Sequence, residues 1–158
     1  MRRFAPAVAL VLLAGCSADE EPPSAASPSP SVGQRISETV RADLGGVALT
    51  LEVADDQQER AVGLMGRTEV PAGTGMVFLF GEPVRTKFYM FQVPVPLTAV
   101  FVDDGTVVHV SQMEPCTETD GAQCPLYGPD GEDFDTVVET APATLPDVRE
   151  GDRLVLER

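Results

Sequence analysis

Thr98-Ala99-Val100-Phe101-Val102 and Thr106-Val107-Val108-His109-Val110 flank Asp103-Asp104-Gly105. Two apolar runs rich in β-branched residues, joined through an Asp-Gly dipeptide, read as a β-hairpin with a tight turn. Working outward from this hairpin, the neighbouring segments are also short and apolar. Lys87 to Phe91 reads as an aromatic strand closed by Pro94 and Pro96. Met76 to Phe80 is an apolar run opened by Gly75 and ended by Gly81 and Pro83, and its length suits a buried strand better than a helix. Further upstream, Val47, Leu49, Leu51 and Val53 alternate with Ala48, Thr50 and Glu52, the period of a half-buried strand. Downstream, Asp135 to Glu139 and Arg153 to Glu157 complete the set, the latter opened by a Gly151-Asp152 turn.

One segment reads as a helix. Asp56 followed by Glu59 has the spacing of a capping box, opening a short helix that carries Ala61, Leu64 and Met65 and stops at Gly66. About seven short strands with one or two short helices make a mainly β, small α+β domain of barrel-like or sandwich-like form.

The chain has 158 residues and a formal net charge of −14, with no Trp and a single His. That length suits one domain of ordinary size. So acidic a chain repels phosphate backbones and anionic headgroups, which argues against nucleic acid and against polybasic membrane docking.

The first residues read as an address. Arg2 and Arg3 precede an apolar stretch from Phe4 to Ala14, too short to span a bilayer but suited to a secretory signal. Leu13-Ala14-Gly15-Cys16 resembles the lipobox of bacterial lipoprotein signal peptides, in which the thiol of the Cys takes the lipid. Residues 1–15 are therefore expected to be removed, leaving Cys16 as the lipid attachment site. Losing Arg2 and Arg3 takes the net charge from −14 to −16. Residues 16–35 are rich in Pro, Ser and acidic residues and read as a disordered tether, with one folded domain over 36–158. The expected location is extracytoplasmic, lipid-anchored to a bacterial membrane.

With Cys16 lipidated, Cys116 and Cys124 are the remaining thiols, and an oxidising compartment favours a disulfide between them. Closing so short a loop should contribute about 2–3 kcal/mol. No Cys-x-x-Cys supports redox chemistry, and no metal or cofactor site is assigned. His109 shares a strand face with Ser111. Same-face neighbours stand roughly 7 Å apart, which predicts a sheet-surface histidine rather than a hydrogen-bonded Ser–His pair. Met65, Met76, Met90 and Met113 read as core filling rather than a copper site. Asp130, Glu132, Asp133 and Asp135 form an acidic loop without the Gly and Glu positions of an EF-hand.

These motifs, in order, resemble a known family. Gly63-Leu64-Met65-Gly66-Arg67, Gly75-Met76-Val77-Phe78, Tyr89-Met90, Pro96-Leu97, Phe101-Val102-Asp103, Pro115-Cys116, Cys124-Pro125-Leu126-Tyr127, Val138-Glu139 and Gly151-Asp152 are similar to the domain of unknown function 192 family over about Val47 to Glu157. The resemblance implies a small, largely β domain, often exported and sometimes lipid-anchored, with no established activity. This chain departs from the family pattern twice. Where the family tends toward aromatic-Met-Lys-Asn-Thr it has Tyr89-Met90-Phe91-Gln92-Val93, and where the family tends toward Pro-Leu-Asp it has Pro96-Leu97-Thr98. Four polar positions of the pattern are thereby altered, at Phe91, Gln92, Val93 and Thr98, and the Lys, Asn and Asp among them are where a shared polar site would lie.

The reading that follows is an envelope accessory or binding module, recognising a small molecule, a glycan or a protein partner. Candidate ligand contacts are Arg67, Tyr89, Asp103, His109 and Tyr127. Two alternatives differ in kind: an enzyme with an unrecognised site around Arg67, Asp103 and His109, or a purely structural envelope protein. No catalytic set is visible, which points away from an enzyme.

Overall fold

A computed structural model describes residues 38–157. The signal segment, Cys16 and the tether lie outside the described residues. Seven strands form a single sheet: β1 (Thr39–Leu44), β2 (Val47–Ala54), β3 (Thr74–Val84), β4 (Leu97–Asp103), β5 (Thr106–Met113), β6 (Phe134–Thr140) and β7 (Leu154–Glu157). Their order across the sheet is β5-β4-β6-β3-β2-β1-β7. All neighbours run antiparallel except β2 and β3, which are parallel. Parallel neighbours need a crossover. Here the helix α1 (Gln57–Val62) and the segment after it supply one.

The sheet curls into a half-barrel. Thr106 at the start of β5 pairs with Arg153 just before β7, so the two ends of the strand order meet near the β4–β5 turn. Val107 donates to the Asp152 carbonyl at 2.9 Å and Leu154 to that of Gly105 at 3.0 Å. Inside the curl, one apolar cluster draws on all seven strands, with Leu44, Leu51, Val77, Val100, Val107, Val138 and Leu154 among its members. The outer face carries the second cluster, which includes Met76, Phe78, Ala99, Phe101 and Val137. Leu64, Met90 and Val93, from the segments that follow α1 and β3, are buried in this second cluster, and Cys116 and Tyr127 pack against it. Met76, Met90 and Met113 are core residues here.

The mainly β reading holds, and seven strands are present, but two memberships change. Lys87–Phe91 is no strand: Phe88 makes a single bridge to Tyr127, with reciprocal backbone hydrogen bonds of 2.9 Å. The chain turns away at Gln92, whose φ of 58° lies in the left-handed region. Beside Phe88, Lys87 is tied to Asp130 at 2.7 Å and Arg85 to Asp133 at 2.6 Å, which clips the acidic loop to this segment. The strand gained is β1. Gly45 and Gly46 both take positive φ (60° and 87°), the requirement of the tight turn that folds β1 back on β2.

Helix α1 opens as expected, with Asp56 accepting from the Glu59 N–H at 2.8 Å in a full capping box. It ends three residues early, at Gly63 rather than Gly66. Leu64 is then free to leave the helical path and enter the core, where it is 3% exposed. Gly66 does adopt a left-handed φ of 75°, and it donates to the Gln92 carbonyl at 2.7 Å. Strand β3 also runs past its expected end at Gly81, with an irregular register against β6 between Leu79 and Val84.

Cys116 and Cys124 are joined in a disulfide that holds the loop between β5 and β6, where Gly121–Gln123 make one 3-10 turn. Changing both cysteines to alanine is expected to lower stability by about 2–3 kcal/mol, read from urea unfolding. An unchanged midpoint would show that the loop is held by its other contacts alone.

Candidate functional site

The outer face is not filled completely. Between α1, β3 and the segment 86–93 lies a cavity of about 270 Å³, bordered by apolar and aromatic side chains including Phe78, Phe80, Phe88 and Met90. An apolar cavity of about 150 Å³ accepts benzene, so this one has room for a ring with a substituent. One acidic group reaches it, Glu139 of β6.

The sheet register explains the position of Glu139. Strand β6 is central, paired with β3 on one side and β4 on the other, and Glu139 stands opposite Met76 and Ala99. All three belong to the covered outer face. Gly75 lets the strands close up here, since a Cβ at that position would stand 2.1 Å from the Glu139 carbonyl oxygen. The Glu139 residue is only 6% exposed. Among the described residues its carboxyl makes no hydrogen bond or ion pair. Burial away from water disfavours the ionised form and pushes this carboxyl up to about 8. At neutral pH the group is therefore mostly protonated and can donate a hydrogen bond into the cavity.

Two cations border the same cavity, and both are engaged elsewhere. The Arg60 guanidinium donates to the Asp55 carbonyl and, at 2.8 Å, to that of Leu79, and lies 5.3 Å from the centre of the Phe80 ring. The Lys87 ammonium donates to the carbonyls of Gly128 and Pro129 and to Asp130 at 2.7–2.8 Å.

Of the residues singled out from sequence, Tyr89 borders this cavity and is 43% exposed. Arg67 borders a second depression of about 240 Å³, where it forms a two-pronged ion pair with Glu52 at 2.5 and 2.6 Å. Tyr127 takes part in the Phe88 bridge, and its hydroxyl accepts from the Glu114 N–H at 3.3 Å. Asp103 ends β4 at the hairpin turn. Neither of these two cavities includes Asp103, His109 or Tyr127, and Arg67 is held by Glu52 on β2 while Asp103 and His109 lie on β4 and β5, with β6 and β3 between.

His109 requires a correction. Its Nε2 lies 3.0 Å from the Ser111 hydroxyl, a hydrogen bond that the spacing of strand residues had argued against. Backbone separation was the wrong measure, because the imidazole reaches along the strand toward its neighbour. On the other side of the ring, Nδ1 lies 3.9 Å from Glu150, which comes from the loop before β7, so a Ser–His–Glu row forms beside the edge strand β5. Its ring is 5.7 Å from that of Phe101. Among the described residues no three His, Cys, Asp or Glu side chains converge as a metal site.

At the altered Lys, Asn and Asp positions of the family pattern, the residues of this chain serve packing and turn geometry. Phe91 lies against Gly121 in the disulfide loop, where a Cβ would stand 3.1 Å from its ring. Gln92 holds a left-handed turn, a conformation that Asn adopts more readily. Thr98 is fully buried and donates from its hydroxyl to Gln112 at 2.9 Å. These three do not border the cavity, whereas Val93, the fourth altered position, is buried and does.

Fold and site together define a single-domain β half-barrel with a lateral apolar cavity and a buried carboxyl. The chain belongs to the domain of unknown function 192 (DUF192) family, described as "Uncharacterized ACR", whose model matches residues 39–156. Among solved structures, it is similar to a candidate transcription regulator from Sinorhizobium meliloti 1021, with 28% identity and a TM-score of 0.66, over 78% of this chain and 98% of that one. It is also similar to a protein of unknown function from Novosphingobium aromaticivorans DSM 12444, with 26% identity and a TM-score of 0.62, over 83% of this chain and 94% of that one. No curated protein matches it significantly.

Proposed function

We propose that this protein is a lipid-anchored, extracytoplasmic binding module of the bacterial envelope, with the cavity beneath α1 as its ligand site. The observation that carries the reading is Glu139: a buried carboxyl with no partner among the described residues, opening into an apolar cavity. Binding sites combine apolar walls with a few polar groups that fix orientation, and perturbed ionisable groups concentrate in them. The lipobox ending at Cys16 and the Pro- and Ser-rich tether support the anchored placement. The Cys116–Cys124 disulfide is compatible with an oxidising compartment. A net charge of −14 argues against extending a nucleic-acid role from the Sinorhizobium relative to this chain.

The test is mass spectrometry of protein taken gently from its native membrane without reduction. The denatured mass should equal the chain from Cys16 plus lipid, less two hydrogens for the disulfide. The native mass should exceed it by a small non-covalent ligand, which Ala61→Trp at the cavity wall should displace. A denatured mass without lipid would overturn the anchoring. A ligand retained in full by Ala61→Trp would move the site elsewhere.

A further inference from the structure

We propose that the cavity beneath α1 takes a small organic cation, a primary or secondary amine on an aromatic or aliphatic body, with its ammonium against the Glu139 carboxylate. This rests on the reading of that cavity as the ligand site and adds the chemical class of the ligand.

The cavity's charges decide between ligand classes. From β6 it receives Glu139, from α1 Arg60, and from the segment 86–93 Lys87. Both cations are committed, Arg60 to backbone carbonyls and the Phe80 ring, Lys87 to two carbonyls and Asp130. The one buried ionisable group is therefore an acid whose countercharge the described residues do not supply. An anionic ligand would be repelled by that group once ionised; of the two cations, Lys87 is already paired with Asp130, and the Nη1 of Arg60 is held by two carbonyls. An ammonium supplies the missing charge and can donate several hydrogen bonds to the two carboxylate oxygens.

Two other features favour a cation. Phe78, Phe80, Phe88 and Tyr89 border the cavity, and aromatic rings attract cations by their faces while packing against an apolar body. The acidic balance of the whole chain raises the local concentration of cations before contact. The volume of about 270 Å³ suits a body of one ring or a short alkyl chain.

Binding must move a proton. Empty, the cavity holds Glu139 mostly protonated at pH 7, because burial alone raises its carboxyl. An incoming ammonium ionises the group, so close to one proton should leave for each amine bound.

The experiment is calorimetric titration of the full chain at pH 7 with benzylamine, benzyl alcohol and benzoate, in two buffers of different ionisation enthalpy. Benzylamine should bind at least about tenfold more tightly than the other two. Its heat should differ between buffers by close to one proton per site. Glu139→Gln should weaken benzylamine by about 10- to 100-fold and change benzyl alcohol, which needs a hydrogen bond but no countercharge, by less than about threefold. Equal binding of amine and alcohol, or amine binding without proton release, would overturn the cation class while keeping the cavity as a binding site. Absence of binding by all three probes at millimolar concentration would overturn both the class and the reading on which it rests.

Discussion

Glu139→Gln is expected to stabilise the protein by about 2–4 kcal/mol at pH 9, while the two proteins converge below pH 5. The Glu139 carboxyl is raised from 4.5 to about 8 by burial alone. Between those values the native state holds a proton that the unfolded chain has released, so stability falls as pH rises. The loss begins near the unfolded value and is complete above about 8. One pKa unit corresponds to about 1.4 kcal/mol, so full linkage would reach about 5 kcal/mol, and water entering the open cavity reduces it. Glutamine keeps the shape and removes the charge, which should flatten the dependence. Two exposed carboxyls act in the opposite direction. Hydrogen bonds from Lys87 and Arg85 hold Asp130 and Asp133 below the usual carboxylate range, so their contribution is present near neutrality and is lost on acidification. Urea unfolding of both proteins at pH 5, 7 and 9 reads the difference. Parallel curves would mean that Glu139 ionises in the folded protein as it does in water.

Replacing Phe101 with alanine should have the largest effect on folding, about 3–5 kcal/mol. Phe101 is fully buried on β4. Its ring meets those of Phe134 at 5.0 Å, Phe88 at 5.6 Å and His109 at 5.7 Å. Removing it leaves a void that the paired backbones of β5 and β6 prevent from collapsing. A control is available at Val155, which is 54% exposed on β7 and should change stability by no more than about 0.5 kcal/mol when cut to alanine. Phe88 also borders the ligand cavity, so Phe101→Ala should loosen that wall and weaken amine binding as well as stability. A loss below about 1 kcal/mol would show that neighbouring rings move in to fill the space.

Sequence by itself determined the parts whose causes are local. The Asp104-Gly105 turn, with φ of 45° and 71°, joins β4 to β5 as its residues required, and Asp56 and Glu59 cap α1 reciprocally. The pairing of Cys116 with Cys124 followed from elimination and proximity. The end of α1 was misplaced because Gly63 and Gly66 carry the same local signal, and burial of Leu64 chose between them. Lys87–Phe91 has the composition of a strand, yet the two ion pairs to the 130–133 loop and the turn at Gln92 leave it one bridge.

The site belongs to the other kind of information. Glu139 was visible only as the end of a short strand and as part of a family motif, and nothing near it in sequence marks it as buried. It becomes so because β6 is inserted between β3 and β4, with one face lining the inside of the curl and the other roofed by segments distant in sequence. A strand covered on both faces loses the alternation that would reveal which side chains are inside. Turn chemistry and capping act within a few residues and can be read from them. Strand order, and the roof that puts a carboxyl out of water, arise from contacts far apart in the chain, and the tertiary structure alone decided them.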